Sequence, residues 1–190
     1  MKICYSFLFF ILPFIAWSQE PCEFTQNITD SIGTYKTTKE YLVYERNFAG
    51  NATYVFQSIA IADGVPMLTM QFIEKSADFI KAKCLDANSK LFIQLHNGKI
   101  VTLIHTKQET CGTLVRDDKG INNRILTGTF LFRKDDFQAL KDSPVSFIRI
   151  KFSTENVDIV FKKALKSELN GGLYEPENYF MSVFPCLQNN

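Results

Sequence analysis

The chain has 190 residues, 46% of them hydrophobic, and a formal net charge of +1 from 21 basic and 20 acidic side chains. That length and apolar content suit one domain with a substantial core. The near-neutral charge, without a basic cluster, argues against nucleic acid or an anionic membrane surface as a partner.

The N-terminus, "MKICYSFLFFILPFIAWSQEPC", sets Lys2 ahead of an apolar run from Ile3 to Trp17. The run is short for a membrane span, and Ala16 and Ser18 supply the small-x-small pattern of a cleavage site, so residues 1–18 are expected to be a signal peptide. A lipid anchor is not expected, because Gln19, Glu20 and Pro21 precede Cys22 in place of small residues. No later stretch approaches 18 uninterrupted apolar residues, so no membrane span is expected in the mature chain. Residues 19–190 are expected to form a single exported domain, periplasmic or extracellular, since no linker, repeat or low-complexity tract divides them. Cleavage removes Cys4 and leaves Cys22, Cys84, Cys111 and Cys186, an even number that implies two disulfides in an oxidising compartment.

From Tyr41 to Phe152 the pattern is mainly that of strands. The segment 41–48, "YLVYERNF", is rich in aromatic and branched residues and stops at "AGN", a turn signal. Two strands then flank Asp63 and Gly64, a pair suited to the positive φ of a tight hairpin. A two-residue turn pairs Ile59 with Leu68, Gln57 with Met70 and Val55 with Phe72, so Val55, Ile59, Ile61, Leu68, Met70 and Phe72 share a core face. Pro66 cannot donate to a ladder, which marks its strand as an edge or as bulged. Residues 79–85 fit a strand or a short helix equally. Residues 124–132 read as a strand, then "RKDDFQALKDSP" makes a short helical turn capped by Asp135 or Asp136 and ended by Pro144. Residues 145–152 alternate, with Ile148, Ile150 and Phe152 on one side. Beyond Phe152, Val157, Val160, Phe161, Ala164, Leu165 and Leu169 recur at helical spacing, and Gly171 and Gly172 end the pattern. A second helix begins near Pro176, presents Tyr179, Phe180, Val183 and Phe184, and stops at Pro185. The expected fold is α+β: a mostly antiparallel sheet built from hairpins and covered by C-terminal helices.

Between Cys84 and Cys111 lie both histidines of the chain. Asn97–Gly98 is a strong hairpin signal, and a two-residue turn there sets Leu91 opposite Ile104, Ile93 opposite Thr102 and Leu95 opposite Ile100. His96 and His105 then share the other, solvent face, roughly 20 Å apart by strand rise, too far to bind one metal. The same geometry brings Cys84 and Cys111 together at the open end, whether the ladder runs on or "DANS" (86–89) forms a separate turn. A Cys84–Cys111 disulfide is expected, and by elimination Cys22 pairs with Cys186. A Cys111 nucleophile with His105 as base is disfavoured, because an oxidised cysteine has no thiolate to offer.

The loop 116–124 gathers Asp117, Asp118, Asn122 and Asn123, oxygen ligands that suit calcium but lack EF-hand spacing, so a solvated loop is expected there. The pair Asp135 and Asp136 invites an acid and base reading that helix capping also explains. Tyr54, Phe56, Thr69 and Gln71, with Ile73, share the second face of the first hairpin. This strip of mixed aromatic and polar groups either binds a ligand or packs beneath helices. Sequons stand at Asn27 and Asn51. No nucleophile elbow, zinc-protease, P-loop or dinucleotide motif is present, and no cofactor is expected.

The signal peptide ending "WSQ", with "TKEYLVYERNFAGN", "LHNGKIVTLIH", "RILTGTF" and "SPVSFIRIKFSTENVDIVFKKALKSEL", resembles an uncharacterised group of secreted proteins from Bacteroidetes-type bacteria. The resemblance implies a periplasmic or outer-surface location and carries no activity. The function expected is that of an exported non-enzymatic binding or interaction module for a protein or glycan. Its alternative is an exported hydrolase whose acidic residues converge only in three dimensions.

Overall fold

A computed structural model describes residues 23–106, 108–133 and 136–188, without the side chains of Cys186 and Gln188. The first strands are β1 (Phe24–Thr29), β2 (Thr34–Thr38), β3 (Tyr41–Phe48), β4 (Asn51–Ala62) and β5 (Val65–Ser76). The central region adds β6 (Cys84–Leu85), β7 (Lys90–Leu95), β8 (Ile100–His105), β9 (Thr110–Cys111), β10 (Thr113–Arg116) and β11 (Asn122–Leu131). Helix α1 (Asp136–Asp142) precedes β12 (Val145–Lys151), β13 (Asn156–Val160), β14 (Leu165–Lys166) and β15 (Leu173–Tyr174). A 3-10 turn at Pro176–Asn178 leads into α2 (Tyr179–Gln188). The signal-peptide residues and the Cys22–Cys186 pairing lie outside the described residues.

Eleven strands form one sheet in the order β1-β2-β4-β5-β11-β8-β7-β12-β13, with β3 beside β4 and β10 beside β11. Every pairing is antiparallel, and the strands far outweigh the two short helices. Strands β4 and β5 pair from Ala52↔Lys75 to Ala62↔Val65 around Asp63 and Gly64, both at positive φ. This is the register expected for a two-residue turn, and Val55, Ile59, Leu68, Met70 and Phe72 are buried on its core face. They join Leu91, Ile93, Leu103, Phe130, Ile148 and Ile150 in one apolar cluster, so the sheet coils around a shared interior. At Gly128 a Cβ would overlap Leu85 Cδ1 and press on Phe130, so a glycine is needed where β11 passes beneath β6.

The β7–β8 turn departs from expectation. Leu95 N donates to Lys99 O at 2.9 Å and Gly98 alone takes positive φ, giving a three-residue loop of His96, Asn97 and Gly98. The register becomes Leu91↔Leu103 and Ile93↔Val101, one residue away from the pairs a two-residue loop imposes. Because side chains alternate, this slip turns Val101, Leu103 and His105 into the core and leaves Ile100 and Ile104 outside.

The helix expected over 157–169 is absent. Strand β13 pairs with β12, for example Ile159↔Ile148, and β14 pairs with β15 around the glycines at 171 and 172. Val157, Ile159 and Phe161 alternate inward as well as they fit a helical stripe, and the β-branched run follows the edge offered by β12. Helical cover is therefore smaller than expected. It consists of α1 and α2, whose Ala139, Leu140, Tyr179, Phe180 and Phe184 join the main core. Pro185 sits inside α2 and does not end it.

Candidate functional site

Cys84 and Cys111 face each other across the β6–β9 pair and form a disulfide. A separate turn, Asp86–Ser89, carries the chain from the disulfide to β7, with Ser89 N donating to Asp86 O at 3.2 Å. The Asn88 N–H donates to Asp86 Oδ1 at 2.8 Å and, as the largest cause, holds that carboxyl below its ordinary range. His105 is 3% exposed, which corrects the surface placement. Its Nδ1 lies 3.0 Å from Asp86 O, so that nitrogen carries the proton and donates, and its ring stands edge-on to Phe130 at 5.3 Å. His105 therefore braces the turn behind the disulfide. His96 lies half-exposed at the loop, its Nε2 3.5 Å from Glu177 Oε2. Among the described residues no three His, Cys, Asp or Glu side chains gather to hold a metal.

In the loop 116–124, Asp117 closes the turn itself. Asp117 Oδ1 accepts from Lys119 N at 3.0 Å and Ile121 N at 2.9 Å; the Ile121 bond is the main reason that its carboxyl is held low. Asn122 Nδ2 donates to Asp78 O and Asn123 Nδ2 to Ile121 O. Asp136 is the first residue of α1, and Asp135 lies outside the described residues.

Of the four residues on the second face of β4–β5, Tyr54 is 8% exposed, while Phe56, Thr69 and Gln71 are half-buried. Tyr54 packs with Leu42 and Leu165, so this end of the strip is covered by the β14–β15 hairpin rather than by helices. Burial pushes the Tyr54 phenol up, with the carboxylates of Glu45 and Glu168 adding to the shift. Its Oη donates to Asn47 Oδ1 at 3.2 Å, while Asn47 Nδ2 donates to Glu45 Oε1 at 2.8 Å and to Glu168 Oε2 at 2.9 Å. Glu45 Oε1 also accepts from Glu168 N at 3.0 Å, so the network docks β14–β15 on β3. Beside Tyr54 a polar cleft of about 450 Å³ is edged by Lys75, Asp117, Asp118 and Lys119.

At the other end of β4–β5 lies a groove of different chemistry. Ile61, Gly64, Val65 and Pro66 form its hairpin wall, and Phe132, Phe137, Phe184 and Leu187 form the opposite wall and floor. Its volume is about 460 Å³, within the range of small-ligand pockets. The ring centroids of Phe132, Phe137 and Phe184 stand 5.0 to 5.6 Å apart, a packed aromatic floor. Lys141, in the last turn of α1, is the one charged side chain among the described lining residues, and no described carboxylate lies within ion-pair distance of it. This groove was missed from sequence because its parts are scattered from Ile61 to Leu187, and because Pro185, read as a stop, hid the helical spacing of Phe184 and Leu187. The local signal was the aromatic pair Phe132 and Phe137, one just before a short helix and one in its first turn.

The fold and clefts define a coiled antiparallel sheet with a lined groove at one end of its central hairpin. No family model, curated protein or solved structure matches the chain.

Proposed function

We propose that the protein is an exported, non-enzymatic binding module that takes an apolar ligand group into the groove between the Asp63–Gly64 turn and helices α1 and α2. The groove carries this reading, because apolar walls at a solvent-facing rim favour sequestering an apolar group over polarising a bond. Export is supported by the Cys84–Cys111 disulfide and by the signal-like N-terminus. It also agrees with the resemblance to secreted proteins of Bacteroidetes-type bacteria. No described helix is long and apolar enough to cross a membrane.

The test compares the wild type with Val65→Asp, a rim change at a residue 53% exposed that the fold can tolerate. Both are incubated with envelope extract, washed, and analysed by native mass spectrometry. A molecule retained by the wild type and lost from the variant is expected. Equal retention by both, or no retention by either, overturns the reading.

A second reading, an exported hydrolase, is favoured by one observation: Glu45 and Glu168 converge on Asn47. The docking role of that network opposes it, since Glu45 already accepts the Glu168 N–H. Turnover of chromogenic glycosides, lost in Glu168→Gln, would establish this alternative.

A further inference from the structure

We infer that the groove's ligand is a free single-chain amphiphile with a carboxylate head, its alkyl chain on the Phe132, Phe137 and Phe184 floor and its head at Lys141. This rests on the binding reading above and names the ligand class for the same site.

Three observations point to this chemistry. Among the described lining residues Lys141 carries the only polar side chain, and that amine has no described acidic partner, so a negative head would supply a counter-charge beside a low-dielectric surface. A peptide would bring backbone N–H and C=O groups that need partners. The Phe, Ile, Leu and Val side chains of the lining offer none, and Pro66 lacks an N–H. An alkyl chain has no polar groups to satisfy along its length. The groove is also walled on both sides, by the hairpin and by the helices, which suits one chain drawn from solution. Docking on an anionic bilayer uses a cluster of basic side chains, and the described lining has a single one.

Isothermal titration with octanoate, decanoate and dodecanoate tests the proposal, with dodecanol as the neutral control and vesicles of anionic phospholipid as the membrane control. Affinity should rise roughly fourfold per buried methylene along the series. Lys141→Ala should weaken dodecanoate by about tenfold or more, leave dodecanol unchanged, and be rescued by Lys141→Arg. Circular dichroism establishes that each variant is folded. Equal affinity for dodecanol and dodecanoate, an unchanged dodecanoate affinity in Lys141→Ala, or binding to vesicles in place of dodecanoate overturns the inference. If dodecanoate does not bind while the wild type retains another molecule that Val65→Asp loses, the carboxylate assignment falls and the binding module stands.

Discussion

Strands β4 and β5 have neighbours along both outer edges, β2 and β3 on one side and β11 on the other, with β11 matched to β5 from Met67 to Ser76. The β7–β8 hairpin is held unevenly: β7 pairs with β12 from Lys90 to Leu95, whereas β8 meets β11 only at Ile104 and His105. Its open end is where the Cys84–Cys111 bond lies, with the Asp86–Ser89 turn and the His105 hydrogen bond between bond and ladder. One hairpin is fixed by hydrogen-bonded neighbours. The other takes part of its definition from a covalent closure and a buried polar contact.

If that contrast is right, removing the closure has the largest effect. Cys84→Ser with Cys111→Ser should lower stability by about 3.5 kcal/mol on the chain-entropy account, measured by urea unfolding, and hydrogen exchange should rise in β8 before β4. Uniform exchange across both hairpins would break the comparison.

Next in size is His105→Leu, which keeps an apolar filling but takes from Asp86 O the shorter of its two hydrogen bonds, leaving only that from Ser89 N. A loss of about 1.5 kcal/mol is expected, whereas a surface histidine would change stability by less than about 0.5 kcal/mol.

A smaller effect is expected from deleting His96. Leu95 would still face Lys99, now across the two-residue loop Asn97–Gly98, so the register should survive. The lost bond from His96 N to Pro144 O limits the destabilisation to about 1 kcal/mol. Exchange of Ile100 and His105 between core and solvent, seen by NMR, would show instead that the third loop residue sets the faces.

The mildest probe is acid. Hydrogen bonding, led by the Asn88 N–H, lowers the Asp86 pKa in the folded state, so this group stabilises the fold above its unfolded value near 3.8 and loses that contribution as pH falls through the folded pKa. Asp86→Asn should remove this part of the acid sensitivity of stability below pH 4, and an unchanged acid limb in the stability profile would contradict it.

The same two hairpins mark how far the residue pattern could be read. At Asp63–Gly64 the turn that forms is the two-residue one, with both residues at positive φ, so every β4–β5 pair from Val55↔Phe72 to Ile59↔Leu68 was legible. Asn97–Gly98 admits a two-residue turn or a three-residue loop with a left-handed glycine, and composition alone does not separate them. The choice rests on burying Val101 and Leu103, with His105 carried inward by parity. The cysteine pair survived the register error because the Asp86–Ser89 turn absorbs the offset between the two ladders. Residues 157–169 misled for a different reason: the edge of β12, reached through a short turn at 152–155, and the pairing of β14 with β15 outweigh a local helical period. The apolar groove was beyond reach, because α1 and α2 meet the β4–β5 turn only in the folded chain.

Strand β11 also governs the order in which the sheet can close. It pairs β5 along its full length and then touches β8, so it is the only described strand whose hydrogen-bonded ladders link β1–β5 to β7, β8, β12 and β13. During synthesis β5 must wait with an open edge until residues 122–131 have emerged. The strand pairing that links them is therefore non-local, which makes refolding slow compared with a chain of sequential hairpins. The waiting β5 edge is the segment that a holding partner would have to shield.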